Sequence, residues 1–336
     1  MATDSLTLDR IDRQILHSLQ ISPRVPFARV ATVLDVSEQT VARRYQRMRT
    51  HGIVRVTALP EPSHQPGTAS WTLRIGCRPG SAAGLADALA RRSDTAWVSI
   101  GAGGAEVTCQ AMVDEQRSVR DGLLYHVPRA SSVLTFSAHQ MLHRFAGRGE
   151  IDWIARDHGL DDTQRAAVGA GALVPGSGGT AVFGPGDHRL IGALSRDGRA
   201  SWATLAEAAG VTQRQAATRV AELVTSGAVF FHLDVAHHVI GLRSVANLWF
   251  TVAPADLAPV GAHLADHLEL AFAGAMTGQT NIMASALCAD PAELYRYITT
   301  KVAAIKGVRT VETVPQLTRV KQAFFLVENG RLRDPA

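Results

Sequence analysis

Apolar residues recur at helical spacing from the first stretch of the chain. Leu8, Ile11, Ile15, Leu16 and Leu19 fall on one face and predict a first helix. Ser22-Pro23-Arg24 interrupts it, and Phe27, Val30, Ala31 and Leu34 mark a second, shorter one. Asp35-Val36 then reads as a tight turn. Ser37 follows as a good N-cap, because its hydroxyl accepts from a backbone N–H of the first turn. The third helix, SEQTVARRYQRMRTHG, turns Val41, Tyr45 and Met48 to one side and stops at Gly52. Three short helices with a tight turn before the third are the outline of a helix-turn-helix.

Further on the texture changes. WTLRIGC (71–77) reads as a strand, Ala82 to Arg92 as a helix, and AWVSIGAGGAEVTCQAMV (96–113) as two strands around a glycine turn. A helix over Gln116 to Val127 and a strand, SVLTFSAHQML (132–142), complete a βαββαβ order, which is a ferredoxin-like unit. Sliding the chain along itself by 175 residues then brings Asp12–Val54 into gapless register with Asp187–Val229. Asp12 meets Asp187, Leu19 meets Leu194, Arg24 meets Arg199, Arg44 meets Arg219 and Gly52 meets Gly227. Strands again follow: NLWFTVAP (247–254), a helix near Val260 to Leu268, FAGAMTGQTNIMASALCAD (272–290), a helix from Pro291 to Ile305, and VRTVETVPQL (308–317).

The chain is therefore a tandem duplication of α+β class. Two winged or helix-turn-helix modules (1–60 and 183–242) alternate with two ferredoxin-like sensor or dimerisation domains (66–148 and 243–330). A connector, 149–182, joins the halves; its GAGALVPGSGG stretch (169–179) is Gly-rich and uncharged, as flexible linkers are. Before it, IDWIARDHGLDDTQRAAV has the look of a helix leading out of the first half.

Charge sharpens this picture only locally. The net formal charge of +4 is too mild to imply nucleic acid by itself. The third helix, however, carries Arg43, Arg44, Arg47 and Arg49 against one acid, Glu38. Arginines neutralise phosphates and pair bidentately with guanine, and Gln39 and Thr40, behind the Ser37 cap, are placed to reach base edges. In the second copy Gln213, Arg214, Gln215 and Arg219 are kept, but Glu222 replaces Arg47. That helix either binds DNA with another sequence preference or retains only the fold.

Cys77, Cys109 and Cys288 are dispersed in apolar runs, which points to a reduced, cytoplasmic protein with neither a disulfide framework nor a cysteine metal pair. The N-terminus has no apolar leader, and no run of eighteen apolar residues suggests a membrane span. His263 and His267 have the spacing of metal ligands on a helix but lack an evident third ligand, and His237-His238 has no acidic or cysteine partner. Gly101, Gly103 and Gly104 do not form a dinucleotide fingerprint, and no GxSxG or P-loop occurs. The reading is thus of a protein without catalytic residues, metal or cofactor.

The phrases LDRIDRQILHSLQISPR and VATVLDVSEQTVARRYQRMRTHGIV make the N-terminus resemble the leucine-responsive/asparagine regulator (Lrp/AsnC) family of transcription factors. TGQTN, Thr277 to Asn281, looks like a turn of that family's sensor domain. The resemblance implies an effector site where paired sensor domains meet, involving Thr277, Gly278 and Asn281 in one half and Gly101 and Gly104 in the other. Asn281 stands where the family usually has an acid, which departs from amino-acid sensing. The implied partners are double-stranded DNA, a small effector such as an amino acid or related metabolite, and further copies of the chain. Two alternatives belong to other classes. One is an enzyme of the sirohaem decarboxylase type, whose expected His- and Arg/Tyr-bearing motif is missing before NLWFT; the other is a ligand-independent DNA-architectural protein.

Overall fold

A computed structural model describes residues 7–64, 67–114, 122–147, 154, 159–174, 176 and 183–334. The first three helices are α1 (Arg10–Ile21), α2 (Phe27–Leu34) and α3 (Glu38–Thr50). A capping box starts α1, with Asp9 accepting from Asp12 N and Asp12 from Asp9 N. Ser37 caps α3 by accepting from Thr40 N at 3.1 Å. The tight turn between α2 and α3 needs one left-handed residue, and Asp35 supplies it at φ 53°. Ile15, Leu16, Leu19, Val30, Val41 and Met48 are fully buried beneath the three helices.

After α3 come β1 (Val54–Pro60), β2 (Thr68–Cys77), α4 (Ala82–Ala90), β3 (Thr95–Gly101), β4 (Glu106–Asp114), α5 (Leu123–His126) and β5 (Val133–Ala146). The connector contributes α6 (Asp162–Gly169). Most of the predicted helix over 116–127 and much of the Gly-rich stretch lie outside the described residues. The second half runs α7 (Asp187–Arg196), α8 (Trp202–Ala209), α9 (Gln213–Thr225), β6 (Val229–Val235), β7 (Ser244–Val252), α10 (Leu257–Ala265), β8 (Leu270–Met276), β9 (Ile282–Cys288), α11 (Pro291–Arg296) and β10 (Val308–Arg319). The 175-residue register extends through it: α2, α3, β1, α4 and β3 begin and end at the positions that α8, α9, β6, α10 and β8 occupy. Gly210, in the same left-handed conformation at φ 71°, takes the place of Asp35.

The modules group by kind rather than by order along the chain. One compact unit comprises Met1–Pro66 and Ile154–Ile240; the other comprises Gly67–Trp153 and Gly241–Ala336. In the first unit β1 and β6 form an antiparallel ribbon whose register sets Thr57 opposite His232. Two arginines clamp the modules reciprocally. Arg24 donates to Gly198 O and Ala200 O (2.5 and 2.9 Å) and lies over Trp202, while Arg199 donates to Pro23 O and Val25 O (2.7 and 2.9 Å) and lies over Phe27. Burial and the charge of Arg199 push the Arg24 pKa down to about 10, so the carbonyls and aromatic faces offset a real desolvation cost. Helix α6 folds back onto α1 and α2, with Leu160 N donating to the buried His17 Nδ1 at 2.8 Å and Gln164 Nε2 to Val33 O.

The second unit is a closed barrel of order β10-β3-β4-β2-β5-β8-β9-β7. Closure depends on two long strands. Trp71 to Cys77 of β2 pairs with the first part of β5, whose end, from Met141 to Ala146, crosses to β8 of the other half. β10 does the same, pairing with β7 up to Pro315 and with β3 from Gln316. The predicted strands stop at 142 and 317, just inside these crossings, so the sequence reading has two paired ferredoxin-like units where one closed barrel forms. In the first half Leu73, Ile75, Val98, Val107 and Cys109 pack against α4 on the outer side. The inner side holds Trp249, Phe272, Met276, Met283 and Val314. Beyond β10, β11 (Lys321–Gln322), β12 (Phe325–Glu328) and β13 (Arg331–Arg333) form a small sheet that docks on β3, where Val320 N donates to Val98 O.

Candidate functional site

The α3 face divides its arginines into two kinds. Arg44 pairs with Asp9 and Asp12 (2.7 and 3.0 Å), Arg47 pairs with Asp12 (2.6 Å) and Arg49 pairs with Asp197 (3.0 Å). Asp12 is fully buried, so these bonds fasten α3 to α1. Arg43 is exposed, as is Gln39 beside the Ser37 cap; Thr40 is half-buried, its hydroxyl 2.9 Å from that of Ser37. The arginine-rich face is therefore partly a structural fastening, and the outward cation on the helix is Arg43.

The second copy repeats the fastening with one arginine. Arg219 bonds Asp187 at 2.8 Å and Glu222 at 2.9 Å. Burial pushes the Asp187 carboxyl up, but bonds from Arg219 and Gly184 N outweigh it and hold the group below its ordinary value. Gln215 is committed to a capping box with Thr212, whereas Gln213 and Arg214 are exposed. A shallow open groove here is lined by Thr212, Arg214, Gln215, Thr218, Arg219 and Glu222. At the 175-residue offset Arg214 stands where the first copy has Gln39, and Thr218 stands where it has Arg43. The two helices thus present outward cations at different places along their axes.

The glycine-bearing turns each sit against the closing strand of the other half. Gly101 meets β10 so closely that a Cβ would lie 3.1 Å from Pro315 O. Ala102, Gly103 and Gly104 follow with φ of 48°, 67° and 93°, and added Cβ atoms at the two glycines would meet nothing within 4 Å. In the second half Thr277 N donates to Gln140 O and its Oγ1 accepts from Gln140 N, both at 2.9 Å. Gly278 has φ 112°, and a Cβ there would press on His139 Nδ1 at 2.7 Å. Asn281 spends its amide on the backbone of Val252, at 2.9 and 2.8 Å. Thr277 and Asn281 are therefore bonded within the fold, while the 102–104 turn is open.

A polar cluster inside the barrel has no counterpart in the sequence reading. Arg74 bonds Glu106 and Glu312, each at 2.8 Å, and its guanidinium lies 4.8 Å from the ring centre of Trp249. Those bonds raise the Arg74 pKa, and the bond from Arg74 holds Glu312 below its ordinary value. The His139 ring lies tilted against the same indole, 5.4 Å between ring centres. The available signal was Arg74 within WTLRIGC and Glu312 within VRTVETV, charges placed on one face of otherwise apolar strands. His267, half of the candidate metal pair, bonds the Tyr297 hydroxyl at 3.0 Å, and no group of three metal-ligating side chains occurs among the described residues. Among those residues no helix is long and apolar enough to cross a membrane.

Comparisons with known proteins bear on both sequence and fold. Residues 8–49 and 186–224 match the AsnC-type helix-turn-helix domain, and residues 245–324 match the Lrp/AsnC ligand binding domain. An uncharacterized HTH-type transcriptional regulator of Pyrococcus abyssi is 30% identical over 137 residues, 40% of this chain and 86% of that protein. One from Pyrococcus furiosus is 28% identical over 118 residues, 35% of this chain and 80% of that protein. The whole chain superposes on the siroheme decarboxylase NirDL with a TM-score of 0.62 at 11% identity, covering 94% of this chain and 93% of that one. NirDL in co-complex with an iron-uroporphyrin III analogue gives 0.59. This full-length likeness corrects the reading of the chain as a non-enzyme: the same double architecture occurs in an enzyme, so the fold does not exclude catalysis. At 11% identity that likeness is one of fold, whereas the sequence matches are to helix-turn-helix regulators. With both helix-turn-helix regions and a ligand-binding domain matched in sequence, the chain belongs to the Lrp/AsnC family of helix-turn-helix regulators, in a tandemly duplicated form.

Proposed function

We propose that the chain is a cytoplasmic, sequence-specific transcription regulator whose two halves act as a pseudo-dimer on double-stranded DNA. The observation that carries this reading is the division of labour on α3. Arg44 and Arg47 are spent on Asp9 and Asp12, leaving Gln39 and Arg43 exposed, with Thr40 half-buried beside them, on a helix of rigid orientation. Ser37, Gln39, Thr40 and Arg43 read one half-site, with Arg44 and Arg47 offering their remaining N–H groups to phosphate. Gln213, Arg214, Gln215 and Arg219 read a second, dissimilar half-site. Each half's sheet unit serves as a ferredoxin-like sensor within the domain limits given above. A small metabolite acts at the turns holding Gly101, Gly104, Thr277, Gly278 and Asn281, with the open 102–104 segment as its entry. Chains associate further as homo-oligomers. The test is binding to a pool of genomic fragments across a salt series. Defined sites enriched with a steep salt dependence support the reading, and uniform weak binding overturns it.

A second reading, decarboxylation of a tetrapyrrole of the sirohaem type, is favoured by the full-length likeness to NirDL. The polar cluster inside the barrel does not support it, since Arg74 is already bonded to two carboxylates and has little to offer a polycarboxylate substrate. Incubation with sirohaem decides it: loss of substrate carboxyl groups as carbon dioxide, read by mass spectrometry, would establish the enzyme.

A further inference from the structure

The gapless offset makes position n and position n + 175 equivalent, so equivalent residues that face each other lie on a local pseudo-twofold axis. Each unit has such a pair. In the β1–β6 ribbon Thr57 faces its own counterpart His232. In the barrel Arg74 lies over its own counterpart Trp249. Neither pair is alike: the second half alone supplies the acid beside the ribbon pair, and the barrel pair takes Glu106 from the first half and Glu312 from the second. Asp234, fully buried, is 3.3 Å from His232 Nε2 and 3.5 Å from Thr57 Oγ1, and its first-half counterpart is Leu59. Glu312, which bonds Arg74, has Ser137 as its counterpart.

We infer that the halves have diverged at these axes into complementary partners that do not complement themselves, so that a first half accepts a second half and refuses another first half. Pairing two first halves sets Arg74 against Arg74, each keeping its own Glu106 but losing both the indole and the bonds to Glu312. Pairing two second halves sets His232 against His232 beside two buried Asp234 carboxylates, and leaves both Glu312 groups without a cation. Like charges meeting in a poorly solvated interface are the usual means by which a wrong pairing is rejected. The arginine clamp of Arg24 and Arg199 is reciprocal and would accept either pairing, so the discrimination rests on the axis residues. This goes beyond the regulator reading and holds equally for the decarboxylase reading.

The test uses the full chain and a swap. Arg74→Trp and Trp249→Arg, made singly, each remove the unlike pair; made together, they restore a cation on an indole with the sides exchanged. In the swap the new arginine lies opposite Glu312 in the β7–β10 register. Each single variant is expected to lower the thermal midpoint by roughly 3–8 °C, and the swap to recover at least half of the summed loss. A swap as damaging as the two singles added would overturn the proposal. A second measurement reads mispairing directly. Thr57→Cys in the otherwise unchanged chain is expected to stay monomeric on non-reducing gels, the native cysteines being buried. Added to Trp249→Arg with Glu312→Ser, which gives the second half the first half's residues at these two positions, it is expected to give a disulfide-linked dimer at several times the parent level. Equal dimer in both backgrounds would also overturn the proposal.

Discussion

Arg43 and Arg44 are neighbours in sequence with separable expected roles. Arg43→Ala should leave the unfolding midpoint unchanged and weaken DNA binding by about 1–3 kcal/mol on the preferred site if it reads a base. Arg44→Ala should instead lower stability, by about 1–2 kcal/mol, because Asp12 stays buried with one partner fewer. Parallel titrations of DNA binding and urea unfolding separate the two, and a stability loss in Arg43→Ala would refute the division. The second copy gives a pH test. Asp187 has its folded pKa below the ordinary 3.8, so its contribution is full above that value and lost as pH falls through the lower, folded one. The stability gap between wild type and Asp187→Asn should therefore be constant from neutral pH down to about 5 and close at stronger acidity. At this scale the sequence disclosed which side chains carry charge but not where the charge was spent: Asp12 precedes Arg44 by a whole helix-turn-helix, and only packing shows that they meet.

Among elements, the helices were the most legible, because a buried stripe at helical spacing and a capping residue are both local. The predicted second helix, Phe27 to Leu34, has the limits found. The strands that close the barrel were legible only in part. From Met141 and Gln316 onward they pair with the other half, and the apolar-polar pattern that marks a strand beside its helix layer no longer applies. The return of α6 onto α1 was equally hidden, since its anchors are His17 and Val33, both distant in sequence. The element-scale prediction concerns the clamp. Arg24→Ala and Arg199→Ala should each cost about 1–3 kcal/mol, with the double variant falling short of their sum because the two share one interface. Gly198→Ala should be damaging too, as its Cβ would stand 2.8 Å from Val56 Cγ1 and 2.9 Å from Val56 O. Chemical denaturation of the four variants checks this; additive losses in the arginine pair would mean that the two act independently.

For the whole molecule, Cys77, Cys109 and Cys288 all lie in the barrel unit and all are buried, with desolvation pushing the Cys109 thiol up to about 12. A thiol reagent should label none of them in the native protein and all of them once the barrel opens, so labelling in increasing urea tracks that unit alone. Labelling of any of the three at native rates typical of free thiols would refute the closed barrel. The duplication itself was legible from the match of Asp12–Val54 with Asp187–Val229, and with it the pairing of the two sensor domains, but closure of their strands into one barrel was not, because it depends on which half each strand chooses as neighbour. The unbroken 175-residue register has a practical meaning for anyone who alters this molecule. Each position of the repeated stretches carries its own reference substitution, already tried in an equivalent setting: glutamate for Arg47, threonine for Arg43, asparagine for Glu106. Exchanging such residues between halves asks what each one does without leaving the range of side chains the scaffold has accepted, and the chain becomes a mutational library bound in one polypeptide.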